Sequence, residues 1–542
     1  MDIKRLILFV VLSFSILMGW DAWHRQHAPE QVATSQEADV PAVKAEPAAN
    51  DVKEVGFRLT NDQIITVETD LYKAQIATVG GDLRHLELLK HRAADSTDAN
   101  FVLMDEAKVS PMLYVAQSGL IGNDLPTHKA IFASAAPSYQ MQADQNDVKV
   151  VMTWKNADGV SVDKIYTFTR GSYAIKVDYK ITNGSAAALD PWVYYQIVHD
   201  NASNQGSKMM PTFTGGAYFT DADKFKKITF GDMAKEDLAK VSKDGWVGLV
   251  QHYFVSAWIP QTALTREFYS NKLSEKVFAI GTKSSLGAVA PGASKEVTAQ
   301  LFAGPQTHDD LLKTAPGLEY TVDYGWLAFI AAPLFKVLCL IQDVVGNWGV
   351  AIILLTILIK LAFYPLSAAG YRNMAQMREL APRLQSMKEK FGDDRQKMQQ
   401  AMMDLYKTEK INPLGGCLPI LVQIPVFISL YWMLLASVEM RHAPFMLWIH
   451  DLSAPDPYWV LPVLMGLTMI IQTKLNPKPT DPIQAKVMTW MPVIFSIFFF
   501  FFPAGLVLYW LVNNILSILQ QAQINRSIHA AALAKKKGHA GR

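Results

Sequence analysis

Three hydrophobic patterns succeed one another along the 542-residue chain. Residues 6–20 form an unbroken apolar run preceded by Lys4 and Arg5. No small residues stand at cleavage spacing, since the run ends Leu17-Met18-Gly19-Trp20-Asp21, so residues 1–20 read as a retained transmembrane anchor. Residues 21–55, rich in Ala, Pro, Glu, Gln and Val, read as a flexible linker. From 56 to 320 the pattern is alternation. Tyr173, Ile175, Val177, Tyr179 and Ile181 alternate with Lys176, Asp178 and Lys180 up to Asn183-Gly184. This is a half-buried strand entering a turn. Val148, Val150, Met152 and Trp154 repeat it, followed by a turn at Asp158-Gly159. Gly80-Gly81, Gly215-Gly216 and Pro291-Gly292 read as further breaks. The expectation is an antiparallel sandwich of many strands.

Beyond Gly325 the apolar runs lengthen toward the ~20 residues a membrane span requires. Candidate spans are 347–366, 414–436, 458–473, 483–502 and 503–525, the last two joined by a turn at Pro503-Ala504-Gly505. Charge then sets direction. Residues 367–412 hold nine basic residues, from Arg372 to Lys410, which the positive-inside rule places in the cytoplasm. With Lys4 and Arg5 also inside, two spans must precede that segment. The anchor and 347–366 fill both places, so 323–343 lies along the interface. There Trp326, Phe329, Ile330, Pro333, Leu334, Val337, Leu338 and Ile341 form one helical stripe. Residues 437–457 become an outer loop and 526–542, with Lys535-Lys536-Lys537, a basic cytoplasmic tail. Six spans with both termini inside result.

Composition changes this picture little. The chain is 50% hydrophobic and only 18% charged, with a net charge of +2, so no global nucleic-acid footprint exists. Its two cysteines, Cys339 and Cys417, lie in apolar segments. No disulfide framework, zinc or haem motif is available. His85, His91, His128, His199 and His252 are scattered through the β region as surface or satisfied histidines.

The intramembrane inventory is short. No candidate span contains Asp or Glu, and Lys360 is the charge set deepest in one. Such a lysine marks a water-filled cavity or snorkels to the headgroups. Thr356 lies one turn before it; Gln423 sits in the third span, and Tyr509, Trp510, Asn513 and Asn514 in the sixth. These polar groups glue helices or line one groove open to the cytoplasm. Phe495 and Phe498 to Phe502 make a lipid-like surface in the fifth span, as suited to lipid packing as to a sliding substrate. Residues 367–412 read as an antiparallel helical hairpin, kinked at Pro382. Its Met374, Met377 and Met402, with Arg395, form an adaptable docking face or the hairpin seam.

At this point the motifs match a family. Asn412-Pro413-Leu414-Gly415-Gly416-Cys417 with Pro419, Gln423 and Pro425, then Trp448-Ile449-His450-Asp451-Leu452-Ser453, and Pro503 to Trp510 resemble the YidC family nearly end to end. The resemblance implies a membrane α-helical bundle of six spans with a five-span core, plus an all-β periplasmic supersandwich. It also implies a bacterial inner-membrane insertase and chaperone without cofactor or metal, whose hydrophilic groove is closed toward the periplasm. Its implied partners are nascent membrane proteins, the Sec translocon with its accessory subunits, the ribosome and signal recognition machinery, and membrane lipids. On this reading a client's polar segment enters a groove of Lys360, Thr356, Gln423, Tyr509, Trp510 and Asn513. Its apolar segment leaves along Ile424, Pro425, Phe498 and Phe499. Lys360 stands where the family carries arginine, so planar bidentate contacts are lost while the point charge is kept. A secondary transporter is the first alternative, though no inverted repeat is visible. An intramembrane protease is remote, because the chain has no His-Glu-x-x-His motif.

Overall fold

The computed structural model describes residues 64–93, 98–106, 113–201, 212–261, 263–391, 394–409, 418–475 and 482–540. The anchor at 1–20, the linker, and the motif from Asn412 to Cys417 lie outside the described residues. Two compact units result: residues 64–328 with Leu435–His442, and Phe329–Leu434 with residues 443–540.

The first unit is all strand in its core. A nine-stranded sheet places Phe254–Pro260, Ser294–Pro305, Ala174–Asn183, Val160–Thr169 and Asp147–Lys155 side by side. A ten-stranded sheet runs through Val277–Ser285, Trp192–Asp200, Leu113–Ile121, Asn100–Glu106, Leu83–Arg92 and Tyr72–Ala77. Pairing is antiparallel except between Ile64–Glu68 and Ser138–Gln140. Ile175, Val177, Tyr179 and Ile181 point into one continuous core with Val160, Val162, Tyr166 and Phe168, because alternate residues share a sheet face.

Between Tyr72–Ala77 and Leu83–Arg92 the chain turns on Gly80 and Gly81, at φ +75° and +60°. A Cβ on Gly80 would stand 2.3 Å from the His128 carbonyl oxygen, so the turn admits no side chain there. Gly215-Gly216 is not a break, contrary to the sequence reading. Both glycines lie inside the strand Gly215–Thr220, where a Cβ on Gly216 would meet Met233 and Ile280. The pair permits close packing instead of a turn.

One core position is ionic. Lys164 follows the inward alternation of its strand and is fully buried. Its ammonium donates to the Gly80 and Ser118 carbonyls at 3.0 and 3.1 Å and lies 3.9 Å from Asp82. Asp82 accepts from Gln117, which accepts from Gln196, which accepts from Tyr269. Burial pulls the Lys164 amine down to about 8 and pushes the Asp82 carboxyl up.

Residues 435–442 form a strap within this unit. The Arg441 guanidinium lies 5.0 and 5.5 Å from the rings of Phe101 and Phe254, themselves stacked at 4.1 Å. His252 donates through Nε2 to the Leu435 carbonyl at 2.9 Å. Burial, reinforced by Asp309 and Asp310, pushes the Glu439 carboxyl up to about 7. Burial, reinforced by Arg441, holds His91 and His252 down at about 4. The Glu439 contribution to docking is therefore complete below its ordinary value and is lost as pH rises through about 7. The histidine contribution is complete above their ordinary value and is lost as pH falls through about 4. Because two histidines outweigh one glutamate between these values, amide exchange across the strap, corrected for intrinsic rates, should be slowest near pH ~7. Glu439→Gln should flatten the alkaline limb; an unchanged limb would refute this assignment.

The second unit is helical: α1 Ala328–Val345, α2 Trp348–Ala362, α3 Tyr364–Phe391, α4 Arg395–Thr408, α5 Leu418–Ala436, α6 Val460–Leu475, α7 Pro482–Phe499 and α8 Ala504–Ala540. Together with the turn before it, α1 spans Gly325–Val345 and, among the described residues, is the one unbroken helix long and apolar enough to cross a membrane. Of its predicted stripe, Trp326, Phe329 and Val337 are exposed, whereas Ala331, Phe335 and Leu338 are the buried residues.

The segment 347–366 is not one straight helix. It breaks at Phe363, where α2 and α3 meet at 68°. Pro365 accounts for the break: it lacks the N–H that would bond the Leu361 carbonyl, and its ring crowds that turn. By contrast α3 runs on through Pro382 to Phe391. The tail expected after residue 525 continues as helix to Ala540 within α8.

Candidate functional site

The site begins with how the helix ends are fixed. The Asn347 side chain caps α2 by accepting from the Val350 N–H at 3.0 Å and donates to the Phe445 carbonyl at 2.9 Å. Gly349 sits against Phe445, where a Cβ would stand 2.1 Å from the ring. Asp456, fully buried, accepts from the Trp448 indole and from the Tyr458 and Leu461 N–H groups at the start of α6. The Leu452 and Ala454 carbonyls accept from Gly505 and Ala504 at the start of α8. The segment from Trp448 to Ser453, together with Asp456, therefore caps and positions two helices.

Against this frame α8 packs on α2, α3 and α6. Lys360 occupies the last turn of α2, a deeper reading having been given by its place within 347–366. A cation there also complements the carbonyl end of the helix. Its Nζ donates to Ser517 Oγ at 2.8 Å, and Ser517 Oγ donates to the Asn513 carbonyl at 2.7 Å. Asn513 Oδ1 accepts from Gln423 Nε2 at 2.6 Å. One polar relay, Lys360–Ser517–Asn513–Gln423, thus crosses α2, α8 and α5. Ser517 was not singled out from the sequence, although Asn513, Ser517 and Gln521 recur at helical spacing on α8.

Other expected site residues divide. Thr356 is buried and turns its hydroxyl onto its own helix, donating to the Ile352 carbonyl at 2.6 Å. Tyr509 stacks on Phe427 at 6.2 Å, and Trp510 packs on the same ring at 4.4 Å. The Trp510 indole N–H has no hydrogen-bond partner among the described residues. Asn514 instead joins helices, donating to Thr468 of α6 at 3.3 Å.

On the apolar side, Ile424 and Phe498 are exposed, at 44% and 49%, and Pro425 is half-buried in α5. Phe499 does not share their surface. It is buried against Phe502 and the Trp510 ring, at 5.4 and 5.7 Å, because a helical step of 100° turns it away from Phe498. In the hairpin, Met377 and Met402 pack on buried Leu380 and Leu384, so they form the seam between α3 and α4. Met374 is half-buried, and the Arg395 side chain lies outside the described residues.

No group of three or more His, Cys, Asp or Glu residues suited to a metal occurs among the described residues. The arrangement offers one cation, a hydroxyl, two carboxamides and a buried, unpartnered indole donor, beside an exposed apolar helix face. This chemistry can hold polar peptide groups and carboxylates without bond-making.

Comparison with known proteins agrees with this division of the chain. The family profile described as the YidC periplasmic domain matches residues 64–337, and that of the 60Kd inner membrane protein matches residues 340–531. The membrane protein insertase YidC of Methylobacillus flagellatus is 66% identical, covering 100% of both chains. That of Aromatoleum aromaticum is 51% identical over 98% of each. A crystal structure of an active YidC insertase with its first transmembrane domain resolved covers 85% of this chain and 92% of its own, at 20% identity and a TM-score of 0.38. The chain belongs to the YidC family of inner-membrane protein insertases, with the family's periplasmic domain followed by its helical membrane region.

Proposed function

We propose that this chain inserts nascent inner-membrane proteins through the polar face that α2, α5 and α8 share, acting alone or beside the Sec translocon and chaperoning the helices it releases. The supporting observation is the relay from Lys360 through Ser517 and Asn513 to Gln423, set among otherwise apolar helices. Polar peptide groups placed in hydrocarbon without partners cost several kcal/mol each, roughly, and this relay supplies partners. The unpartnered Trp510 N–H adds a donor for a client carbonyl or carboxylate.

In this reading the chain crosses the membrane six times with both termini in the cytoplasm, and α1 lies along the outer interface. The parity of basic loops supports that assignment, although among the described residues α1 is the one helix both long and apolar enough to span. The client's apolar segment leaves along Ile424, Pro425 and Phe498, the exposed part of the expected sliding surface. The α3–α4 hairpin, with Met374 and Arg395, and the basic end of α8 would meet ribosomes, targeting factors and anionic lipid.

The test is depletion in the native host, followed by protease accessibility of newly made small membrane proteins. Tails that stay protected inside, while ordinary exported proteins still cross, support insertion. Unchanged insertion of every client refutes it.

A further inference from the structure

A hydroxyl has one proton to donate and two lone pairs to offer. In Ser517 the proton and one lone pair are committed. The proton goes to the Asn513 carbonyl at 2.7 Å, and the lone pair takes the Lys360 ammonium at 2.8 Å. Ser517 is itself only 3% exposed, so no rotation toward solvent competes with this arrangement. Its backbone is held nearby as well, since Gln520 donates to the Tyr364 carbonyl just beyond the α2–α3 break.

Lys360, by contrast, is free to choose. It stands in the last turn of its helix, and a four-carbon stem can carry its ammonium several ångströms toward the headgroup region. A lysine also lacks the planar fork that would fix its direction by geometry alone. What turns the ammonium onto α8 is the serine acceptor. From this the geometry points to Ser517 as a positioning residue: it anchors the Lys360 ammonium on the relay shared by α2, α8 and α5 and prevents it from snorkelling out. The inference rests on the insertion reading for its functional consequence, but not for its structural one.

The experiment joins two readouts on the full-length protein in proteoliposomes. The first is acylation of Lys360 by a water-soluble amine reagent, quantified on the Lys360 peptide by mass spectrometry. The second is insertion of a client with an acidic tail. Ser517→Ala should raise Lys360 acylation about tenfold, the scale of losing a hydrogen bond to a charged group. It should also lower insertion of the acidic client about as much as Lys360→Ala does, and change nothing further when combined with Lys360→Ala. Ser517→Thr, which keeps the hydroxyl, should restore both readouts. Ser517→Cys, nearly isosteric but a weak acceptor, should fall between and serves if the alanine variant does not accumulate.

Unchanged acylation in both the alanine and cysteine variants would overturn the proposal. So would an insertion defect that persists undiminished in the Lys360→Ala background, since Ser517 would then act independently of the lysine. If acylation rises but Lys360→Ala inserts every client normally, the anchoring stands and the charged-groove reading fails.

Discussion

Lys360→Ala should lower insertion of clients with acidic extracytoplasmic tails on the order of tenfold and change neutral-tailed clients less than about twofold. The magnitude follows from the charge. Two opposite charges about 4 Å apart gain roughly 4 kcal/mol at an effective dielectric of 20, and groove water screens much of this. A residue of about 1.4 kcal/mol is one factor of ten in rate. Lys360→Arg should keep insertion within about twofold, because the point charge supplies the attraction. Competitive insertion of an acidic and a neutral client by the same vesicles reads the ratio directly. Equal losses for both clients would mean that Lys360 supports the helices rather than the client.

The second large effect belongs to the β unit. Lys164→Met should destabilise it by about 3–5 kcal/mol, the range for removing one partner of a buried charge pair. The substitution takes from Asp82 its fully buried cation, leaving Arg84 at 3.7 Å, and strips a donor from the Gly80 and Ser118 carbonyls. A β unit of this size should lose on the order of 10 °C in melting temperature, at ~2–4 °C per kcal/mol. Adding Asp82→Asn should recover part of this, because the buried carboxylate that lost one of its two cations is then gone. Thermal unfolding of the full-length protein, followed by its β signal, tests both arms. A single variant as stable as the parent would contradict the ionic-core assignment.

The alternation that made strands legible also contained Lys164. Val160, Val162, Lys164, Tyr166 and Phe168 occupy one face, so the lysine had to point inward. What alternation does not reveal is the acceptor set that tolerates it, since Gly80, Ser118 and Asp82 come from distant strands or turns. Gly215-Gly216 misled for a related reason. Glycines mark turns and close packing alike, and only the neighbours Met233 and Ile280 distinguish them.

In the helical unit, hydropathy located the apolar segments but did not place the break at Phe363. Pro365 was the available signal. Lys360 and Gln423 stood out because charge and amide are rare in apolar helices. Ser517 did not, since serine is unremarkable in composition and gains its role from lying opposite Lys360 across two helices. Phe498 and Phe499 show the same limit: neighbours in a phenylalanine run, they end on different faces.

The central claim is that a client's polar segment contacts the relay face and not the outer face of the bundle. A stalled client carrying a photoreactive residue in its hydrophilic tail, irradiated in the membrane and mapped by mass spectrometry, tests it most directly. Crosslinks, located to the residue, should fall at Lys360, Gln423, Asn513 or Trp510. Crosslinks confined to the exposed face of α8, at Ile515 and Leu519, would contradict the account.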